Sequence, residues 1–173
     1  MNQGKAQRLA KEGYAFFESE NYSEAGEKYK EALNYVDMSH WATQDIYGEY
    51  SMVLRKLNRE EEALRMLEMS LESALTADPD SNGVTIARHF LAEFLIETGN
   101  PEAALKSLLP ILPKKAELKW LIHFSAANAY YHLGDSDNYE KQAYETYQLS
   151  SSNKFPDVAS VKKQIESNVM KSS

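Results

Sequence analysis

Residues 20–33 read ENYSEAGEKYKEAL. Ala25, Tyr29, Ala32 and Leu33 recur on one face at helical spacing, and charged residues occupy the rest, so the stretch predicts an amphipathic α-helix. The face meant for burial is unusual. Ala25 and Ala32 stand where a helix packed against ordinary neighbours would place Leu or Ile. Helix separation is set by the side chains at the contact, so alanine there implies a second backbone very close by. A partner for that approach lies just upstream, where Gly13 is followed three residues later by Phe16.

The same arrangement returns along the chain. Aligning the second helix of each pair on its small residue gives Ala25, Ala63, Ala104 and Ala143, at spacings of 38, 41 and 39 residues. A turn residue precedes each: Glu20, Asn58, Gly99 and Gly134. The gap is five residues in the first three pairs and nine in the fourth, where Tyr139 holds the five-residue position. Each first helix has its own small residue and a large one three further on: Gly13 and Phe16, Ser51 and Leu54, Ala92 and Leu95, Ala127 and Tyr130. Breaks are read at Glu20–Asn21, Met38–Ser39, Asn58, Asp78–Gly83, Gly99–Pro101, Pro110–Lys114, Gly134–Asp135 and Ser150–Pro156. Ser39 is expected to cap a helix from His40, Asn100 and Pro101 to start another, and Gly134 and Asp135 to stop one helix and start the next. No segment alternates as a strand would. The reading is all-α, with short connections that make neighbours antiparallel.

This pattern resembles the tetratricopeptide repeat (TPR), in which Gly or Ala, an aromatic, Ala and a further aromatic recur at these offsets. Residues 6 to 39 match best, through Gly13, Phe16, Ala25, Tyr29 and Ala32. Ala92, Leu95, Gly99 and Ala104 support the third pair, and Ala127, Tyr130 and Gly134 the fourth. The second is weaker, with Ser51 and Ser70 in small positions. The family's tryptophan position holds Leu9, Tyr47, Arg88 and His123, and its closing proline is not kept. The resemblance covers residues 6 to about 152 and implies a right-handed α-solenoid of about four TPR-like helix pairs. The pairs are expected at about 6–38, 40–77, 83–112 and 114–150, within a single domain of residues 1–173. Val158, Val161, Ile165 and Val169 share one side of a last segment, read as a capping helix over about 156–170.

Composition narrows the function. The 173 residues include no cysteine, which excludes a disulfide framework and thiolate metal sites and fits a reducing, cytoplasmic setting. The N-terminus has no apolar core of signal-peptide length, and no run reaches the length of a membrane span. Net charge is −7 with basic and acidic residues interleaved, which argues against nucleic acid and lipid surfaces as partners.

Chemical motifs are sparse. His89 and Glu93 lie one helical turn apart, a spacing that can hold a metal, but no second pair completes a site. A polar pair is the simpler reading. His123 falls in the tryptophan position and is read as a hydrogen-bonded, half-buried ring; His132 points to another face. DSDNYE, residues 135–140, lacks the glycine and the twelfth-position acid of a calcium loop and reads as a helix N-terminus. No nucleophile–base arrangement or phosphate-binding glycine loop is present. The expectation is a protein that is not an enzyme, with no cofactor and no metal.

The resemblance also implies a concave surface lined by the first helices, which in TPR proteins commonly takes a partner's peptide. The inward positions are Ala10, Tyr14 and Phe17; Gly48, Met52 and Arg55; His89, Glu93 and Ile96; and Phe124, Asn128 and Tyr131. Of these, Tyr14, Phe17, Met52, Arg55, His89, Glu93, Asn128 and Tyr131 are the candidate partner-binding residues. The Lys and Asn clamp that some members use for a chain-terminal carboxylate is missing, and Glu93 would repel one. The reading is a protein–protein interaction adaptor binding a peptide or segment in an aromatic groove. Two alternatives are a scaffold that forms a homo-oligomer through the C-terminal helix and a regulatory sensor of a small peptide.

Overall fold

The computed structural model describes residues 1–112, 116–150 and 154–172, the last five as backbone only. The joints expected at Pro110–Lys114 and Ser150–Pro156 fall partly outside the described residues, as does the Val169 side chain. Within them the chain is all-helical, with nine helices and no strand. In order these are α1 Gln3–Glu18, α2 Tyr22–Ala32, α3 Thr43–Lys56, α4 Glu60–Ala77, α5 Asn82–Glu97, α6 Pro101–Leu108, α7 Lys119–Leu133, α8 Ser136–Leu149 and α9 Val158–Ser172. None is long and apolar enough to cross a membrane.

The joints between α1 and α2, α3 and α4, α5 and α6, and α7 and α8 have one geometry. Glu20, Asn58, Gly99 and Gly134 all have positive φ, at 61°, 57°, 80° and 70°. Each of these residues donates its N–H to the carbonyl three residues back, and the next residue donates to the carbonyl five back. Thus Glu20 N–H reaches Phe17 O at 3.0 Å and Asn21 N–H reaches Phe16 O at 2.9 Å. This double bond is the Schellman stop, which satisfies the orphan carbonyls of a helix end. The wider bond ends on Phe16, Leu54, Leu95 and Tyr130, the large residues of the four first helices. The donors of that bond, Asn21, Arg59, Asn100 and Asp135, are N-caps of the second helices. Stop and start are therefore fused in two residues, which folds each pair back on itself.

These joints set the register. Five residues past each stand Ala25, Ala63, Ala104 and Tyr139, whose N–H groups all donate to the N-cap carbonyl. Nine residues past stand Tyr29, Leu67, Leu108 and Ala143, all buried. The fourth pair has thus exchanged its large and small residues, and this corrects the alignment of Ala143 with Ala25. Ala25, Ala63 and Ala104 are fully buried. A Cβ built on Gly13 would lie 2.9 Å from two Tyr29 ring carbons and 3.3 Å from the Ala25 carbonyl oxygen. That is the close backbone implied by the alanines of residues 20–33. In the second pair the small positions are serines, and each hydroxyl has an acceptor. Ser51 donates to Gly48 O at 2.6 Å, and Ser70 crosses to Gln44 O on α3 at 2.8 Å.

Two expected caps differ. α3 begins at Thr43 and not at His40. The N–H and hydroxyl of Ser39 both donate to Asp37 Oδ1, at 3.0 and 2.7 Å, so an Asp-centred turn takes the polar groups a cap would have used. Asn100 is an N-cap by position, but its amide donates to Thr98 O, and Pro101 supplies the helical start. Asp135 behaves as expected, accepting from Asn138 N–H at 3.2 Å.

The chain divides into two compact units, Met1–Ala87 and Arg88–Ser173, with the boundary inside α5. In the first, α3 packs on α4 and on both α1 and α2. Tyr29 is fully buried, its ring stacked on Tyr50 with centroids 5.8 Å apart and its hydroxyl donating to Glu49 at 2.8 Å. In the second, α7 packs on α6, α8 and α9. Its core joins Phe124, Ala127, Tyr139, Ala143 and Phe155 to Val161 and Ile165 of α9, so α9 lays its apolar face on its own chain. Lys162 of α9 also pairs with Glu140 of α8.

Candidate functional site

The repeat register gives each candidate residue a position. Tyr14, Met52, Glu93 and Asn128 all lie one residue past the small residue of their helix. Phe17, Arg55 and Tyr131 lie one past the large residue, and His89 lies three before the small one. Equivalent positions do not share a fate.

In the first unit Tyr14, Met52 and Arg55 face water. Tyr14 on α1 is 42% exposed and Met52 on α3 is 45% exposed, on helices that pack together. Phe17 is half-buried between two rings, with centroids 6.3 Å from Tyr14 and 5.5 Å from Tyr22. Arg55 is exposed one turn beyond Met52. Ala10, by contrast, is buried and belongs to the packing.

In the second unit the equivalent positions turn inward. Asn128 is only 3% exposed, and Ile96 and Phe124 are buried, so none of the three lines an open surface. Phe124 stacks on Phe155 at 6.2 Å, which settles it as packing. The physical reason is contact with other elements: Asn128 turns to Glu93 on α5, and Phe124 packs with Phe155 and α9, so both are buried where repeat position alone would leave them outward. Tyr131, at the end of α7, keeps 38% exposure while resting against Tyr139 at 5.3 Å.

His89 and Glu93 are half-buried, but their polar heads join a network between α5 and α7. His89 Nδ1 lies 2.7 Å from the Ser125 hydroxyl, and Asn128 Nδ2 donates to Glu93 Oε2 at 3.0 Å. Burial pushes the His89 imidazole down to about 4, and Lys154 acts the same way. Burial also raises the Glu93 carboxyl above its ordinary value, against the opposing pull of hydrogen bonds from Ser125 and Asn128. Both groups are thus driven toward their neutral forms. Ser125 itself is fully buried, so its hydroxyl serves as a bridge between helices. Among the described residues no three His, Asp or Glu side chains converge as a metal ion would need. His123 is buried more deeply than half, its Nδ1 2.7 Å from Gln142 Oε1.

Sequence reasoning missed three residues. Ser125 opens the small-residue run SAAN at 125–128, and a hydroxyl in such a run was the available signal for a bond across a close helix contact. Arg88, in the tryptophan position, donates from Nη1 to Ser107 O at the end of α6, a cation placed on the negative end of a short helix. Trp41 is 70% exposed and stacks on His40 in the turn before α3, where no periodicity announces it.

No protein-family model matches the chain, and no curated protein matches it.

Proposed function

We propose that this chain is a non-enzymatic adaptor of the TPR-like α-solenoid kind, taking a segment of a partner protein on the face formed by its first helices. One observation supports the reading above others. The same repeat position on two packed helices presents Tyr14 and Met52, two large apolar side chains left substantially in water. Aromatic and Met residues are the types enriched at the centres of protein interfaces. Phe17 and Arg55 extend that surface by one turn, with Arg55 supplying charge at its edge. In the second unit the reading narrows to Tyr131, because Asn128 is buried and His89 and Glu93 bond inward. A peptide sensor would use the same residues.

Self-association through the C-terminal helix has less in its favour. Val161 and Ile165 of α9 are fully buried in their own unit and are not available to a second copy.

Affinity capture with the wild type and with Tyr14→Ala/Met52→Ala tests the proposal. Both side chains are exposed, so the variant should fold unchanged while losing its bound proteins. If every partner stays bound, the first-helix face is not the binding surface.

A further inference from the structure

The network between α5 and α7 lacks a hydrogen. Asn128 Nδ2 donates to Glu93 Oε2 at 3.0 Å, while Glu93 Oε1 and Asn128 Oδ1 are both buried without a partner among the described residues. Both orphans are acceptors when the carboxyl is ionised. A carboxylic acid and a primary amide can pair through two hydrogen bonds at once, amide N–H to one carboxyl oxygen and carboxyl O–H to the amide oxygen. The first of these bonds is present. The atoms that would make the second are the two left unpartnered.

We propose that Glu93 is held as the neutral carboxylic acid, and that its proton, donated to Asn128 Oδ1, latches α5 to α7. Burial and the charged groups acting on the pair favour that state, against the opposing pull of the Ser125 and Asn128 hydrogen bonds. Glu97, one turn along α5, adds a like charge to Glu93 and discourages ionisation. Lys154, beyond α8, acts on His89 and helps keep that ring uncharged. No cation offsets Glu93 through His89, whose Nδ1 is engaged by Ser125. Ionising Glu93 leaves a buried carboxylate whose Oε1, like Asn128 Oδ1, is an acceptor with no donor among the described residues. Asn128 lies one turn before Tyr131 on α7, so the latch fixes the part of that helix that reaches the surface.

The sign of the pH effect follows. A carboxyl raised in the folded chain contributes stability that is complete below its ordinary value near 4.5 and is lost as pH rises through the folded value. His89, lowered to about 4, works in the other direction, losing stability as pH falls from about 6.5. The two limbs have opposite signs and overlap between about 4.5 and 6.5, so removing the Glu93 carboxyl is what separates them. The test is the carboxyl carbon signal of Glu93, identified by its disappearance in Glu93→Gln, followed from pH 4 to 9. Amide hydrogen exchange along α7 is measured in parallel. The expected result is a titration midpoint well above 4.5, with α7 protection falling on the order of tenfold above it in the wild type. Glu93→Gln, whose amide N–H replaces the carboxyl proton, should keep protection flat at high pH while retaining the acid limb of His89. A carboxyl signal that titrates near 4.5 overturns the proposal. So does a Glu93→Gln chain that loses α7 protection at every pH.

Discussion

Gly13 shows most directly how one residue governs the packing. The two glycines of α1 make opposite demands on a substitution. At Gly13 a Cβ meets the Tyr29 ring at 2.9 Å and the Ala25 carbonyl oxygen at 3.3 Å, whereas at Gly4 the nearest such atom is Asn2 Oδ1 at 3.8 Å. Tyr29 cannot easily yield, because its ring is fully buried and its hydroxyl is tied to Glu49. Gly13→Val should therefore destabilise by about 2–3 kcal/mol through overpacking. Gly4→Ala, at an exposed site, should be neutral or stabilise by up to about 1 kcal/mol through helix propensity. Urea unfolding of the two variants beside the wild type reads both, and equal effects would mean that α1 and α2 do not cross at Gly13.

At the scale of the element, the four Schellman joints are filled unequally. Gly99 and Gly134 take the left-handed conformation at little cost, and an added Cβ would meet nothing within 4 Å at either. Glu20 and Asn58 adopt the same backbone with side chains. Asparagine visits that region readily, but glutamate gives up roughly 1 kcal/mol there. Glu20→Gly should consequently raise stability by about 0.5–1 kcal/mol, although glycine usually destabilises. Gly134→Ala should lower it by about 1 kcal/mol through the positive φ alone, since its Cβ would meet nothing beyond the adjacent backbone. Thermal unfolding of both variants checks the signs, and a destabilised Glu20→Gly would mean that the joint does not need its positive φ. Much of this level was legible in the residues themselves. The turn positions, the small residues and the large residues three further on could all be found by spacing. The fourth pair resisted because a Tyr and an Ala had traded places, and a spacing rule keyed to small residues follows the alanine. The backbone bond from Tyr139 to Asp135 shows which of them holds the register.

Across the molecule, the second unit depends on α9 more than its composition suggests. Val161 and Ile165 are fully buried with Phe124, Tyr139 and Phe155, and Val158 packs beside them. Val161→Asp places a charge in that core and should cost more than about 3 kcal/mol. Circular dichroism and near-ultraviolet signals from Trp120 and its neighbours follow the loss, and a variant as stable as the wild type would mean that α9 is dispensable. The candidate surface divides in the same way between what is local and what is not. The sequence by itself determined an all-helical chain, where its pairs turn, and which faces press together, because helical period, turn conformation and side-chain volume are properties of neighbouring residues. Only the tertiary structure decided that one repeat position leaves Tyr14 and Met52 in water yet buries Asn128. Burial depends on which other elements come to lie on a face: Glu93 of α5 meets Asn128, and Phe155 with α9 covers Phe124, contacts that the residues of α7 do not themselves describe.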